Sequence, residues 1–358
     1  MNTRWGFLPK AQTRALSQIG IWLACTCLFS LIILVSSFAH AQESTVLVGS
    51  GSSVPAPLYS RLAQEYNKKS PSVQVKYLPL GTSEGIKQIS HGSGDFAAGE
   101  VALSANERSE TGLVEVPSVL IGIVPIYHVP GAPPDLKFSG EVLAEIFLGE
   151  IKNWNDPQIA KLNAGANLPD MPIRVYNRPA GKGSNYVLTE FLSKVSPKFR
   201  SRIGVSPSPN WSVGTPAERS ADIADKVKAD TGSIGYVELQ YAVKGNIAQG
   251  KVLNPAGNYV KASPETIVAA CRAEEAPGWD KFGASLTNAP GADSYPITSF
   301  SWLYLRSKSS SDTRRVAALQ DFLNWMFTDG QQYVGQEGYP ALPPQMLAKV
   351  KVKANSLR

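Results

Sequence analysis

A chain of 358 residues, 43% hydrophobic and 18% charged, holds more material than one hydrophobic core usually takes, so two domains are expected. Its formal net charge of +6 is small and dispersed, which argues against nucleic acid as a partner. Three cysteines, Cys25, Cys27 and Cys271, are too few for a disulfide framework.

Residues 1–41 read as an export signal. Arg4, Lys10 and Arg14 are its charges, Ile19 to Phe38 is nearly all apolar, and Ala39-His40-Ala41 puts small residues where a signal peptidase reads them. Cleavage after Ala41 and a soluble periplasmic product starting at Gln42 are therefore expected. The apolar run is long enough for a membrane anchor, but the small-residue site follows it directly. Cys25 and Cys27 would leave with the signal and lack the lipoprotein pattern before them. Cys271, one helical turn after Ile267, reads as a buried structural thiol.

After the signal, short strands alternate with amphipathic helices. Ser44 to Val48 reads as a strand, and Leu58, Leu62 and Tyr66 then recur at helical spacing. Val73, Val75 and Tyr77 return to period two; Ile86 and Ile89 mark a helix and Phe96-Ala97-Ala98 a strand. A largely apolar strand runs from Val119 to Tyr127, and a helix from Ser139 carries Val142, Leu143, Ile146 and Phe147. Ile173 to Tyr176 is a strand, and the helix after Gly183 buries Val187, Leu188, Phe191 and Leu192. Thr215-Pro216-Ala217-Glu218 has the form of a capping box with proline at the first helical position. The late stripe Val316, Leu319, Leu323, Met326 is expected to stop at Gly330. Such alternation predicts a mostly parallel sheet covered by helices.

Three segments, each joining an apolar run to a helix, share one composition: Gly49 to Pro55, Leu80 to Gly85, and Arg178 to Ser184. Glycines let backbone approach a ligand, and hydroxyls and free N–H groups at a helix start donate toward negative charge. Arg178 adds a forked cation suited to an oxyanion. One such loop is usually a plain turn or N-cap. Three of them, at strand ends where α/β sheets bind ligands, point to an oxyanion receptor.

Catalysis finds little support. His91 and His128 stand apart in unlike contexts with no metal-ligand spacing, and Ser53 has no histidine partner. Gly181-Lys182-Gly183-Ser184 ends like a nucleotide P-loop, but Tyr176 stands where that motif needs its first glycine. No catalytic residue, metal or cofactor is assigned.

The chain resembles the periplasmic phosphate-binding proteins, the PstS family, of high-affinity ABC phosphate importers. The likeness rests on Gly49-x-Gly51-x-Ser53 through Tyr59, Ile86-Lys87-Gln88, Asp95-Phe96-Ala97-Ala98, Phe147 to Pro157, Gly232 to Glu238, and Tyr295-Pro296-Ile297-Thr298. It implies an α/β, two-lobed periplasmic binding protein of type II-like form with the ligand cleft between the lobes. Residues 42–120 with 296–358 would form one lobe and 121–295 the other. It further implies a monomer that takes inorganic phosphate to an ABC permease and its ATPase subunits.

By position, the resemblance puts ligand-binding roles on Ser53, Val54, Thr82, Glu100, Arg178, Lys182, Gly183 and Ser184. Glu100 stands where the family has the aspartate that accepts the ligand's proton, Lys182 where it has a serine, and Ala180 where an aspartate supports the arginine. Lys182 reads either as a solvent-facing lysine or as a ligand contact, and a salt bridge from it to Glu100 would brace the longer carboxylate. These departures keep two alternatives in view: a receptor for another oxyanion or an organic phosphate, and a secreted phosphohydrolase.

Overall fold

The computed structural model describes residues 1–2, 44–273, 285–307 and 312–356. The expected export signal therefore lies outside the described residues. The chain divides after Ser44 into two units, and every element below belongs to the second, Thr45–Arg358. Among the described residues no helix is long and apolar enough to cross a membrane.

The elements follow in order as β1 (Thr45–Gly51), α1 (Ala56–Lys69), β2 (Val73–Leu78), α2 (Thr82–Ser90), β3 (Phe96–Gly99), α3 (Ala105–Thr111) and β4 (Leu113–His128). Then come β5 (Lys137–Phe138), α4 (Gly140–Leu148), α5 (Pro157–Leu162), β6 (Arg174–Asn177), α6 (Gly183–Val195), α7 (Pro197–Arg202), β7 (Thr215–Pro216), α8 (Ser220–Ala229) and β8 (Ser233–Glu238). The chain closes with α9 (Leu239–Gly245), β9 (Ala248–Gln249), β10 (Lys251–Leu253), β11 (Tyr259–Val260), α10 (Pro264–Ala273), β12 (Thr298–Arg306), α11 (Thr313–Met326), α12 (Gln332–Gln336) and α13 (Pro344–Ser356).

One sheet organises the unit, with strand order β2-β1-β3-β12-β4-β8-β6-β7 and β9 pairing β4. Its two ends are parallel, as expected: β1 with β2 and β3, and β6 with β8 and β7. The middle is not. β12 runs antiparallel to β3 and β4, and β4 antiparallel to β8, so the sheet is mixed rather than mostly parallel. Period-two patterning cannot show this, because direction follows from which strands return late in the chain.

β4 joins the two ends. Its residues through Gly122 pair with β12, and from Ile123 onward they pair with β8. Fourteen of its sixteen positions are buried, which fits a strand covered on both faces. Local chemistry sets the helix starts: Ser139 accepts from Val142 N at 3.2 Å, and Ser104 and Glu107 form a capping box before α3. The face Leu58, Tyr59, Leu62, Ala63 and Tyr66 of α1 is buried, as helical spacing requires. Cys271 is buried.

Two local expectations are corrected. Thr215-Pro216 does not open a helix: it pairs parallel with Tyr176 and Asn177, and Ala217 N donates to Asn177 O at 2.9 Å. Sheet pairing takes the backbone groups that a cap would have used, and the helix waits until Ser220. The late stripe ends at Met326, capped by Phe327, before Gly330 is reached.

Candidate functional site

The carboxyl ends of β1, β2, β3, β6 and β8 deliver five loops to one place. Gly51 has φ +132°, and a Cβ there would lie 2.1 Å from Ala98 O, so only glycine lets the first loop cross β3 this closely. Ser52-Ser53-Val54 is then fixed from both sides: Tyr77 Oη donates to Ser52 O and Tyr339 Oη to Val54 O, each at 2.7 Å. The second loop docks on the first through Gly81 N to Gly51 O at 2.7 Å.

Arg178 is fully buried, yet it meets only uncharged acceptors. Its Nη2 donates to Ser53 Oγ at 3.1 Å and to Glu218 O at 2.7 Å, and its Nη1 donates to Ser220 Oγ. Its Nε has no partner. The backbone behind it is held by Arg178 N donating to Tyr236 Oη at 2.9 Å. The failed capping box has a consequence here, because the extended path of residues 215–218 leaves the Glu218 carbonyl free to face the guanidinium.

Opposite stands Glu100, also buried. Thr82 Oγ1 donates to its Oε2 and Ser301 Oγ to its Oε1, both at 3.1 Å. Burial pushes its pKa up to about 7, held back by hydrogen bonds from Ser52, Thr82 and Ser301 and raised further by the charge of Glu238. Helix α6 begins against it without a side-chain cap, so unpaired N–H groups and the positive helix end lie nearby. A Cβ on Gly183 would fall 1.7 Å from Glu100 Oε2 and 2.7 Å from Thr82 Oγ1, so any side chain here would displace the carboxylate from its place against α6.

The loops also meet each other. Ser83 N donates to Gly181 O at 3.3 Å, and Arg178 reaches Ser53 across the same gap. Of the eight expected residues, Ser53 and Arg178 are joined directly, and Thr82, Glu100 and Gly183 form a second cluster. Ser184 is buried with its Oγ unpartnered. Val54 N is taken by Ser52 Oγ at 3.0 Å. Lys182 does not brace Glu100: its Nζ pairs with Glu218, whose side chain is 69% exposed. A lysine Nζ finds an exposed carboxylate at the rim at less desolvation cost than a buried one below it.

Sequence reasoning missed Ser220, Glu218, Ser301 and Tyr236. Ser220 and Ser301 are isolated serines, distant in sequence from the groups they touch, and carry no local signal. Tyr236 sat inside a recognised segment without a role.

Such a site pairs a buried cation with hydroxyls, a helix start and a carboxylate, the donor and acceptor set of a protonated oxyanion cradle. The PBP superfamily domain matches residues 36–330. The phosphate-binding protein PstS of Pasteurella multocida is 36% identical over 324 residues, covering 90% of this chain and 94% of that one. The chain belongs to the PstS family. PstS of Haemophilus influenzae is 34% identical over 89% of this chain and 95% of its own. In fold, the chain is similar to a phosphate-binding protein from Stenotrophomonas maltophilia, with TM-score 0.63 at 19% identity over 86% of this chain and 94% of that one. The late strand β12 returns to the middle of the sheet between β3 and β4 and makes it mixed.

Proposed function

We propose that this protein captures inorganic phosphate outside the cytoplasm, as a monomer, and delivers it to an ABC permease and its ATPase subunits. The observation that carries the reading is the buried Arg178 fork against Ser53, facing Glu100, Thr82 and the uncapped start of α6. Two lobes, residues 42–120 with 296–358 and residues 121–295, close on the anion by bending where β4 changes partners between Gly122 and Ile123. Ser53, Thr82, Arg178, Gly183 and Ser184 donate to the ligand, Val54 packs beside it with its N–H already held by Ser52, and Glu100 accepts the ligand's proton. Lys182 stands at the rim, held by Glu218.

The work is binding, without bond making. Donors from both sides replace the ligand's water, and the closed form presents the permease with a surface the open form lacks. Micromolar capture corresponds to about −8 kcal/mol. A few charge-assisted hydrogen bonds of about 1.5–3 kcal/mol each supply that after desolvation and ordering. Among the described residues no cluster of metal-ligating side chains occurs.

Calorimetry of ligand-stripped protein against phosphate, arsenate, sulfate and a small organic phosphate tests the reading. Phosphate should bind with micromolar or better affinity and exceed sulfate at least about tenfold. Preference for the organic phosphate would redirect the reading to a changed ligand, for which the Lys182–Glu218 rim is the reason. Mass spectrometry of the exported protein should give a chain starting at Gln42.

A further inference from the structure

Glu238 ends β8, the strand whose Tyr236 hydroxyl holds the backbone of Arg178. It is fully buried, and among the described residues it is the one buried carboxylate with neither oxygen accepting a hydrogen bond. Burying an unpaired carboxylate is costly, so something the cleft does must use it. Tyr236 and Glu238 alternate with Val237 and point to one side of β8. On that side the Tyr236 hydroxyl accepts from Arg178 N.

β6 lies parallel beside β8, and Arg178, which follows β6, and Glu238 both act electrostatically on Tyr236 and Tyr241. The Arg178 guanidinium has Nε unclaimed. The other groups that feel Glu238 are Glu100 from the end of β3, Tyr241 on α9 and Tyr339 before α13. Its strand partner is Ile123, the first β4 residue past the change of partners. Glu100 differs from it in one respect: each of its oxygens already has a hydroxyl donor.

Resting on the phosphate reading above, we infer that Glu238 is a specificity-determining carboxylate of the cleft, counter-charge to Arg178 and an acceptor open only to an oxyanion that brings its own proton. A fully deprotonated tetrahedral dianion would meet one buried arginine and two buried glutamates. A protonated one places its O–H between the two carboxylates, Glu100 and Glu238, and part of the repulsion becomes a hydrogen bond.

Competitive calorimetry with phosphate and sulfate at one pH, on wild type, Glu238→Gln and Glu238→Asp, tests this. Glu238→Gln should lower the phosphate-to-sulfate affinity ratio at least about tenfold, mainly by tightening sulfate. Glu238→Asp, which keeps the charge, should hold the wild-type ratio within about threefold. If Glu238→Gln does not fold, Glu238→Met supplies the same neutralisation. A purely structural role would weaken both anions together and leave the ratio alone. An unchanged ratio in the neutral variant, or an Asp variant that behaves like it, overturns the inference. Wild type that binds neither anion overturns the phosphate reading itself, and this inference with it.

Discussion

Glu100 ties stability to pH in a way that can be measured without any ligand. Burial raises its pKa from an ordinary 4.5 to about 7. Because the folded value is the higher one, the native state holds a proton that the unfolded chain has released, so stability is full below 4.5 and falls as pH rises toward 7. With those two values the penalty is about 1 kcal/mol at pH 5 and about 3 kcal/mol at pH 8. The perturbation is Glu100→Gln, which keeps the shape and can still accept from Thr82 or Ser301. Urea unfolding of phosphate-free wild type and variant at pH 5, 6, 7 and 8 reads the difference directly. The variant should gain on wild type by about 2–3 kcal/mol between pH 5 and pH 8. A difference that stays flat over that range would refute the argument that the carboxylate is held protonated by desolvation.

Arg178→Ala should cost at least ~3 kcal/mol of phosphate affinity by calorimetry, with Arg178→Lys restoring only part because the fork is lost; wild-type affinity in the alanine variant would mean that the site lies elsewhere. Gly183→Ala should weaken phosphate binding by about 1–3 kcal/mol, since the new methyl group collides with Glu100 and must force α6 away. Lys182→Ser should weaken binding less than Arg178→Ala does, and Glu218→Gln should change urea stability by less than ~1 kcal/mol, as expected of a pair whose acid is mostly in water.

Much of this protein was legible in the order of its residues. Helices announced themselves through apolar spacing and caps, as with Ser139 before α4, and strand ends were marked by glycines whose backbone path no other residue follows, as with Gly51. Those signals are local, so sequence states them directly. The same holds for the cleft residues inside recognisable segments, Ser53, Thr82, Arg178 and Gly183, and for the family itself. What sequence could not decide was everything fixed by groups far apart in the chain. The direction of β12, the strand fate of Thr215-Pro216, the pairing of Lys182 with Glu218 rather than Glu100, and the roles of Ser220 and Ser301 all depend on which distant backbone or hydroxyl group arrives first. The raised pKa of Glu100 and the unpartnered oxygens of Glu238 belong with them, because desolvation is a property of the packed tertiary structure: the residues supply the charges, and only packing removes the water.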